Sequence, residues 1–157
     1  MRTEKGFGRT SCACHTCVRN CQFMPGFLIP SDLARMIPPD VVPEKWAEGR
    51  LLASPGALAV KNGVPFRIHT LVPAVKADGS CIHLDDSNRC GIHQIAPFGC
   101  AFFDCGPERG HLSHFGLIEV MRAWENNDLY ARIWGHLARQ GRTQLRAELL
   151  RERMRTA

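Results

Sequence analysis

The cysteines are the residues of this chain whose type and spacing could do chemistry. They form two groups, the first with the spacing C-x-C-x2-C-x3-C and the second with C-x8-C-x9-C-x4-C. Thiolates are soft ligands that bind zinc or iron in preference to magnesium or calcium, so two dense thiol groups predict a metal centre. The predicted ligands are all eight cysteines of the chain: Cys12, Cys14, Cys17, Cys21, Cys81, Cys90, Cys100 and Cys105.

Two kinds of metal centre suit these groups. A tetrahedral zinc and a four-iron iron–sulfur cluster (4Fe-4S) each take four cysteines, and the first group could turn back toward either in a tight loop. The thiols could form two zinc sites, one cluster with four further cysteines beside it, or a site that takes ligands from both groups. We favour shared ligands for at least one site, because they would tie the N-terminal segment to the middle of the chain. A structural zinc would then add folding free energy on the order of 10 kcal/mol.

Other polar side chains lie within the cysteine groups. His15, His83 and His93 could be ligands, but eight thiols already suffice, so packing or solvent exposure is the simpler role. Asp85 and Asp86 could act as acid or base, although the string DDSN is more typical of a solvated turn. We therefore assign no catalytic residue. The chain also lacks G-x-G-x-x-G and Walker sequences, so no nucleotide site is predicted.

Length and composition restrict the class of protein. A chain of 157 residues can form one domain with a hydrophobic core. No apolar run is long enough to span a membrane, and the polar start MRTEKGFGRTSC lacks the apolar core of a signal peptide. We therefore expect a cytoplasmic protein without a membrane partner. Thiols stay reduced in that compartment, which favours metal ligation; an exported, disulfide-bonded protein is the alternative.

The charge balance bears on partners. The formal net charge is +5, and the last segment of the chain is rich in arginine. Such a balance is compatible with nucleic acid or another acidic partner, but a solvated helical face explains it more simply. A protein or peptide partner remains open, as does the oligomeric state.

Local patterns predict an α+β fold with short helices in its first third. Ser31 is a good N-cap for a helix over 32–37, with Asp32 in the first turn. Pro43 is well placed to begin a second helix over 43–52, which Ser54-Pro55-Gly56 would end. These helices should pack around a small core centred on the cysteines and their metal.

Two hairpins are also predicted. Lys61-Asn62-Gly63 favours a turn between strands over 57–60 and 64–70. The segment from Cys81 to Cys90 could form a second hairpin, which would bring these two cysteines together at its open end.

The chain is expected to be a single domain, 1–157, in which 12–105 is the cysteine-cluster core and 106–157 a helical extension. Apolar residues in that extension recur every three or four positions, which predicts two or three amphipathic helices. They are Leu117, Val120, Met121 and Trp124, then Leu129, Ile133, Trp134 and Leu137, and finally Leu145, Leu149, Leu150 and Met154.

The second cysteine group resembles a known family. The matching segments are Cys81-Ile82-His83-Leu84, Cys90-Gly91-Ile92-His93 and Pro97-Phe98-Gly99-Cys100-Ala101-Phe102-Phe103. They are similar to the cysteine-cluster proteins described as zinc- or iron-chelating domains, the CxxCxxCC or YkgJ-like family. The resemblance covers about residues 12–105, and it implies metal binding by cysteines. A related cluster in flagellin lysine methylases further implies that some members hold an iron–sulfur cluster.

This chain departs from the family pattern at several positions. The adjacent Cys-Cys pair is absent, and Ala96 and Ala101 stand where the family has arginines. His83 and His93 occupy positions that are aromatic in the family, which favours a packing role for them. Any role that these arginines have in the family is therefore not assigned to this chain.

Three functional hypotheses follow. The first is a cysteine-ligated metalloprotein that binds an iron–sulfur cluster or zinc, with no reaction assigned. The second is a redox or methyl-transfer enzyme acting on a protein or peptide. The third is a zinc-stabilised binding module whose basic C-terminal helix contacts an acidic partner.

Overall fold

Seven helices and one two-stranded antiparallel sheet make up the described part of the chain, so the fold is mixed α+β. The computed structural model describes residues 15–23, 25–92, 96–101, 113–145 and 147–156. The elements are α1 His15–Phe23, α2 Pro30–Met36, α3 Pro43–Ala47, β1 Leu51–Lys61, β2 Val64–Pro73, α4 Phe98–Ala101, α5 Ser113–Glu125, α6 Leu129–Arg139 and α7 Ala147–Thr156. Among these, no helix has both the length and the apolarity needed to cross a bilayer.

The β1–β2 hairpin confirms the predicted turn. Asn62 and Gly63 both have positive φ, 53° and 77°, as a two-residue type I′ turn requires. The strands are longer than predicted and pair from Lys61 opposite Val64 down to Leu51 opposite Pro73. Sequence chemistry at the turn therefore sets the register of the sheet from Lys61 to Ala57.

A bulge interrupts β1 where the sequence predicts a helix to end. The register shifts between Ser54 and Ala57, so Ser54-Pro55-Gly56 bends a strand rather than stopping a helix. Gly56 has a φ of 75°, and a Cβ there would lie 1.8 Å from the carbonyl oxygen of Ile68. Only glycine fits this crossing of the two strands.

The two short helices differ from their predicted bounds. Helix α2 begins at Pro30 with Ile29 as its N-cap, so the assignment of Ser31 as N-cap is wrong. Ser31 instead lies within the first turn and donates a hydrogen bond from its hydroxyl to Glu119 on α5. Helix α3 does begin at Pro43, but it ends at Ala47, since the chain turns at Gly49 and enters β1 at Leu51.

The hydrophobic core lies between the sheet, α2, α3, α5 and α6. Its fully buried members come from both sides of residue 105: Leu28, Ile29, Leu33, Ala47, Leu51, Ala53, Ile68, Leu71, Phe98, Val120, Ala123, Tyr130, Ile133 and Leu137. Helices α5 and α6 thus contribute to the same core as the sheet. Burying apolar area of this kind is the main favourable term in folding.

Tyr130 of α6 joins two distant segments inside this core. Its hydroxyl donates to the carbonyl of Leu28 at 2.6 Å and accepts from the amide of Leu71 at 2.7 Å. The amide of Leu28 in turn donates to the carbonyl of Leu71 at 2.7 Å. Burial raises the pKa of Tyr130, so the hydroxyl keeps its proton and its donor role.

Two segments late in the chain make contacts with its first half. The amide of Ala53 donates to the carbonyl of Arg142, and the amide of Gln144 donates to the carbonyl of Ala53, both at 2.9 Å. At the other end, Arg19 of α1 donates to the carbonyl of Met154 on α7. Helix α7 therefore packs beside α1.

Candidate metal centre

Cys21 is placed by α1. The N-terminal cysteine group was expected to form a tight loop, but its second half is helical, with Cys17 and Cys21 one turn apart in α1. The carbonyl of Cys21 accepts a hydrogen bond of 2.8 Å from the amide of Cys81. Helix α1 is thereby attached directly to the start of the second cysteine group.

Cys81 and Cys90 lie at the two ends of a short loop. Cys81 bridges Val75 and Cys90 bridges Leu84, but these are isolated bridges and not the hairpin strands that were predicted. The amide of Gly91 donates to the carbonyl of His83 at 2.7 Å, which closes the loop near its base. The predicted proximity of the two cysteines is therefore reached through turns rather than strands.

The tip of this loop is a solvated turn. The carboxylate of Asp85 accepts from the amides of Ser87 at 2.8 Å and Arg89 at 2.9 Å. Asn88 has a φ of 59°, a conformation that asparagine tolerates better than most residues. Asp85 is thus used to shape the turn.

Cys100 is placed by α4 and by a close backbone contact. Its Sγ lies 3.7 Å from the carbonyl oxygen of Gly26, and the amide of Gly99 donates to the carbonyl of Phe27 at 2.9 Å. A Cβ on Gly26 would lie 2.3 Å from the amide nitrogen of Cys100. Glycine at position 26 therefore lets the Cys100 segment approach the residues that follow α1.

A buried carboxylate holds the same two segments together. Asp32 is fully buried, and its Oδ2 accepts from the amides of Ile29 at 2.9 Å and Phe98 at 2.8 Å. Its other oxygen pairs with Arg35. Asp32 was expected only to favour the first turn of its helix; its tie to Phe98, two residues before Cys100, carries no local sequence signal.

The four described thiols are close enough for their charges to interact. Burial raises the pKa of Cys81 to about 11, with the charges of Cys21 and Cys90 adding to the rise. Burial likewise raises the pKa of Cys100, reinforced by Cys21, Cys81 and Cys90. Burial also raises the pKa of Cys21, and the charge of Cys90 adds to this rise. The structure therefore brings Cys21, Cys81, Cys90 and Cys100 into one neighbourhood as free thiols.

Cys81 also has partners that favour its thiolate. The backbone amides of His83 and Leu84 interact with its sulfur and oppose the rise of its pKa. Amide groups two and three residues after a cysteine can donate to the sulfur only when the chain turns sharply. That turn is present, since the amide of Leu84 donates to the carbonyl of Cys81 at 3.0 Å. The backbone here is thus arranged to accommodate negative charge on sulfur.

The structure does not describe the side chains of the other four predicted ligands. Cys12, Cys14 and Cys105, like His93, fall outside the described residues, and for Cys17 only the backbone is described. Within the described ranges, no three His, Cys, Asp or Glu side chains converge closely enough to hold a metal ion as they stand.

His83 is half-buried, and burial lowers its pKa, so its imidazole is neutral at pH 7.

Comparisons with protein-family models, curated proteins and solved structures find no match to this chain.

Proposed function

We propose that this protein is a cysteine-ligated metalloprotein, with Cys21, Cys81, Cys90 and Cys100 as ligands of an iron–sulfur cluster or zinc. One observation carries the proposal: three separate segments of the chain bring these four thiols into mutual electrostatic range. The set takes one residue from the first cysteine group and three from the second, so this site would be shared between the groups.

The chemistry of the donor set fits this role. Four neighbouring thiols in a partly buried place are costly to ionise together, as the raised pKa values of Cys21, Cys81 and Cys100 indicate, unless a cation offsets their repulsion. A cation would therefore draw in side chains that otherwise stay apart. All-sulfur ligation is typical of structural zinc and of iron–sulfur clusters. A bound metal would supply folding free energy and, if it is a cluster, one-electron chemistry.

The chain's own residues prepare the site. The backbone at His83 and Leu84 opposes the rise of the Cys81 pKa, and backbone groups that favour a thiolate tune the potential of clusters and the basicity of their ligands. Asp32 and Gly26 fix the segment that carries Cys100. We further propose that Cys12, Cys14, Cys17 and Cys105 ligate a second metal or complete the same one. Under this proposal a cysteine-centred core adjoins the hydrophobic one.

Metal analysis tests the proposal. Protein purified without oxygen should contain iron and sulfide with a brown colour, or zinc without colour, at a stoichiometry of about one site or more per chain. Serine at position 21, 81, 90 or 100 should lower metal affinity by more than tenfold, as estimated from the loss of one of four ligands. Ser87→Ala, an exposed substitution in the same loop, serves as the control and should leave the metal content unchanged.

The proposal fails if the protein remains metal-free after anaerobic purification and after reconstitution with either zinc or iron and sulfide. It also fails if all four serine variants keep the wild-type metal content and affinity. Circular dichroism of each variant should accompany the metal analysis, because loss of metal together with loss of helix identifies a structural site.

One observation favours the binding-module hypothesis as a second candidate. Helix α7 packs on α1, while Arg153 and Arg155 on it are exposed. A metal that fixes α1 would therefore also fix a basic helix. Salt-sensitive retention on heparin, lost in Arg153→Gln/Arg155→Gln but kept in Arg132→Gln/Arg139→Gln on exposed positions of α6, would support it. Equal retention of both double variants would exclude this role for α7.

A further inference from the structure

Within the described part of the chain, the outer half of β1 is an unpaired strand edge, and we propose that it pairs with the same strand of a second copy of this chain. The residues involved are Ala57-Leu58-Ala59-Val60, near the tip of the hairpin. Leu58 is 63% exposed and Val60 is 69% exposed. An exposed strand edge with apolar side chains is a ready template for pairing with a strand of another chain.

The hairpin register shows which backbone groups face outward. In a two-residue hairpin the residues that flank the turn form a hydrogen-bonded pair, here Lys61 and Val64. By alternation, Val60 opposite Pro65 and Leu58 opposite Arg67 are the pairs whose amides and carbonyls point away from the partner strand. Pro65 fits this pattern, since it has no amide proton to donate.

The two edges of the hairpin are therefore unequal. On the β2 side, Pro65 removes one of the outward donors, and Leu28 bridges Leu71 farther down. On the β1 side, Thr143 bridges Ala53, but within the described ranges no segment pairs with the stretch from Ala57 to Val60. Within those ranges, this stretch of β1 therefore offers outward donors and acceptors that no other segment uses.

The sequence of this stretch is self-complementary. If two copies meet antiparallel about a two-fold axis at Ala59, each Leu58 lies opposite a Val60 of the other copy. Both residues point their amides and carbonyls outward, so the two pairs can form four hydrogen bonds. The four apolar side chains then share one face, where aliphatic cross-strand pairs are favourable. The small Ala59 side chains meet at the axis, where strands come closest.

Charge does not oppose this pairing. In this register Lys61 lies opposite Ala57, and the two Lys61 residues are four positions apart along the strands, about 14 Å. That separation exceeds the Debye length of about 8 Å at physiological salt, so their repulsion is largely screened. Four apolar side chains and four hydrogen bonds make an interface below the standard size, and the dimer should be weak and concentration-dependent.

Sedimentation velocity of the full chain, in reductant so that disulfides cannot form, tests the inference. Wild-type protein should shift from monomer to dimer between about 5 and 500 μM, the range of a weak interface. Leu58→Lys/Val60→Lys should remain monomeric throughout. Val64→Lys is the matched control, because Val64 is 63% exposed but lies on the opposite face, and it should dimerise as the wild type does.

Amide hydrogen exchange identifies the edge independently. Between dilute and concentrated wild-type protein, exchange at Leu58 and Val60 should slow by at least about threefold, while Ala59, already bonded within the hairpin, should change little. A protein that stays monomeric up to 500 μM, taken as about the upper limit for a weak interface, overturns the inference. So does a dimer that persists in Leu58→Lys/Val60→Lys, or one that forms without slowing exchange at these two amides.

Discussion

The buried carboxylate of Asp32 gives the sharpest prediction about how the fold positions the proposed metal centre. In Asp32→Ala, the amides of Ile29 and Phe98 lose the carboxylate that accepts from them, and Arg35 loses its ion pair with that carboxylate. A buried amide left without an acceptor costs about 1–3 kcal/mol, so two such amides with the lost ion pair cost about 3–5 kcal/mol. This is a large fraction of the roughly 5–15 kcal/mol that stabilises a typical domain.

Urea unfolding followed by circular dichroism measures this cost. Asp32→Asn should lose less, about 1–3 kcal/mol, because one amide oxygen can still accept from both backbone donors while the pair with Arg35 is lost. The control Asp40→Ala, at an exposed position between α2 and α3, should stay within about 0.5 kcal/mol of the wild type. Because Phe98 begins the helix that carries Cys100, metal affinity should fall in the order Asp40→Ala, Asp32→Asn, Asp32→Ala.

Two results would refute the reasoning about Asp32. One is an Asp32→Ala variant that unfolds within about 1 kcal/mol of the wild type, which would mean that water or another group replaces the carboxylate at little cost. The other is a strongly destabilised variant whose metal affinity is unchanged, which would show that Cys100 does not depend on the Phe98 contact.

Three further predictions concern single residues. Hydrogen bonds from His136 and Gln140 hold the pKa of Glu48 below its ordinary value of 4.5. The ionised Glu48 carboxylate therefore stabilises the folded protein above pH 4.5, and this stabilisation is lost as the pH falls through the lowered pKa. The stability difference between wild type and Glu48→Gln should therefore shrink from about pH 6 to pH 3 in denaturation curves, and a constant difference would contradict this. Tyr130→Phe should lower the free energy of unfolding by about 2–4 kcal/mol, since two buried hydrogen bonds are lost; a loss below about 1 kcal/mol in urea titrations would exclude that role. Gly26→Ala should displace Cys100 and weaken metal binding by about tenfold or more in competition titrations, whereas Gly135→Ala, next to only a flexible side chain, should bind metal normally.

Local sequence chemistry predicted some elements of the fold well. The Asn62-Gly63 turn and the start of α3 at Pro43 depend on backbone conformations that these residues favour by themselves. The extent of β1 could not be read in the same way, because Leu51 and Leu52 fit either a helix face or a strand. Their pairing with Pro73 and Val72, which is a long-range contact, decides between the two.

The candidate site likewise has features that residue type predicts and features that only long-range packing decides. The cysteines were singled out by residue type and spacing alone, but which of them lie together depends on packing. The hydrogen bond between Cys81 and Cys21, and the approach of Gly26 to Cys100, join segments with no common local signal. The N-cap of α2 shows the same limit: Ser31 is a favoured cap by type, yet Ile29 is the N-cap, and its amide donates to Asp32, which also accepts from Phe98.

The hydroxyl of Tyr130 has a consequence for how the protein is made. A ribosome releases the chain from its N-terminus, and Cys21, Cys81 and Cys100 have all been synthesised before Tyr130. The segments around Leu28 and Leu71 can be joined by that hydroxyl only after α6 has emerged. The nascent thiols are therefore exposed before the scaffold that gathers them is complete, and the proposed metal would be inserted only after α6 has been synthesised.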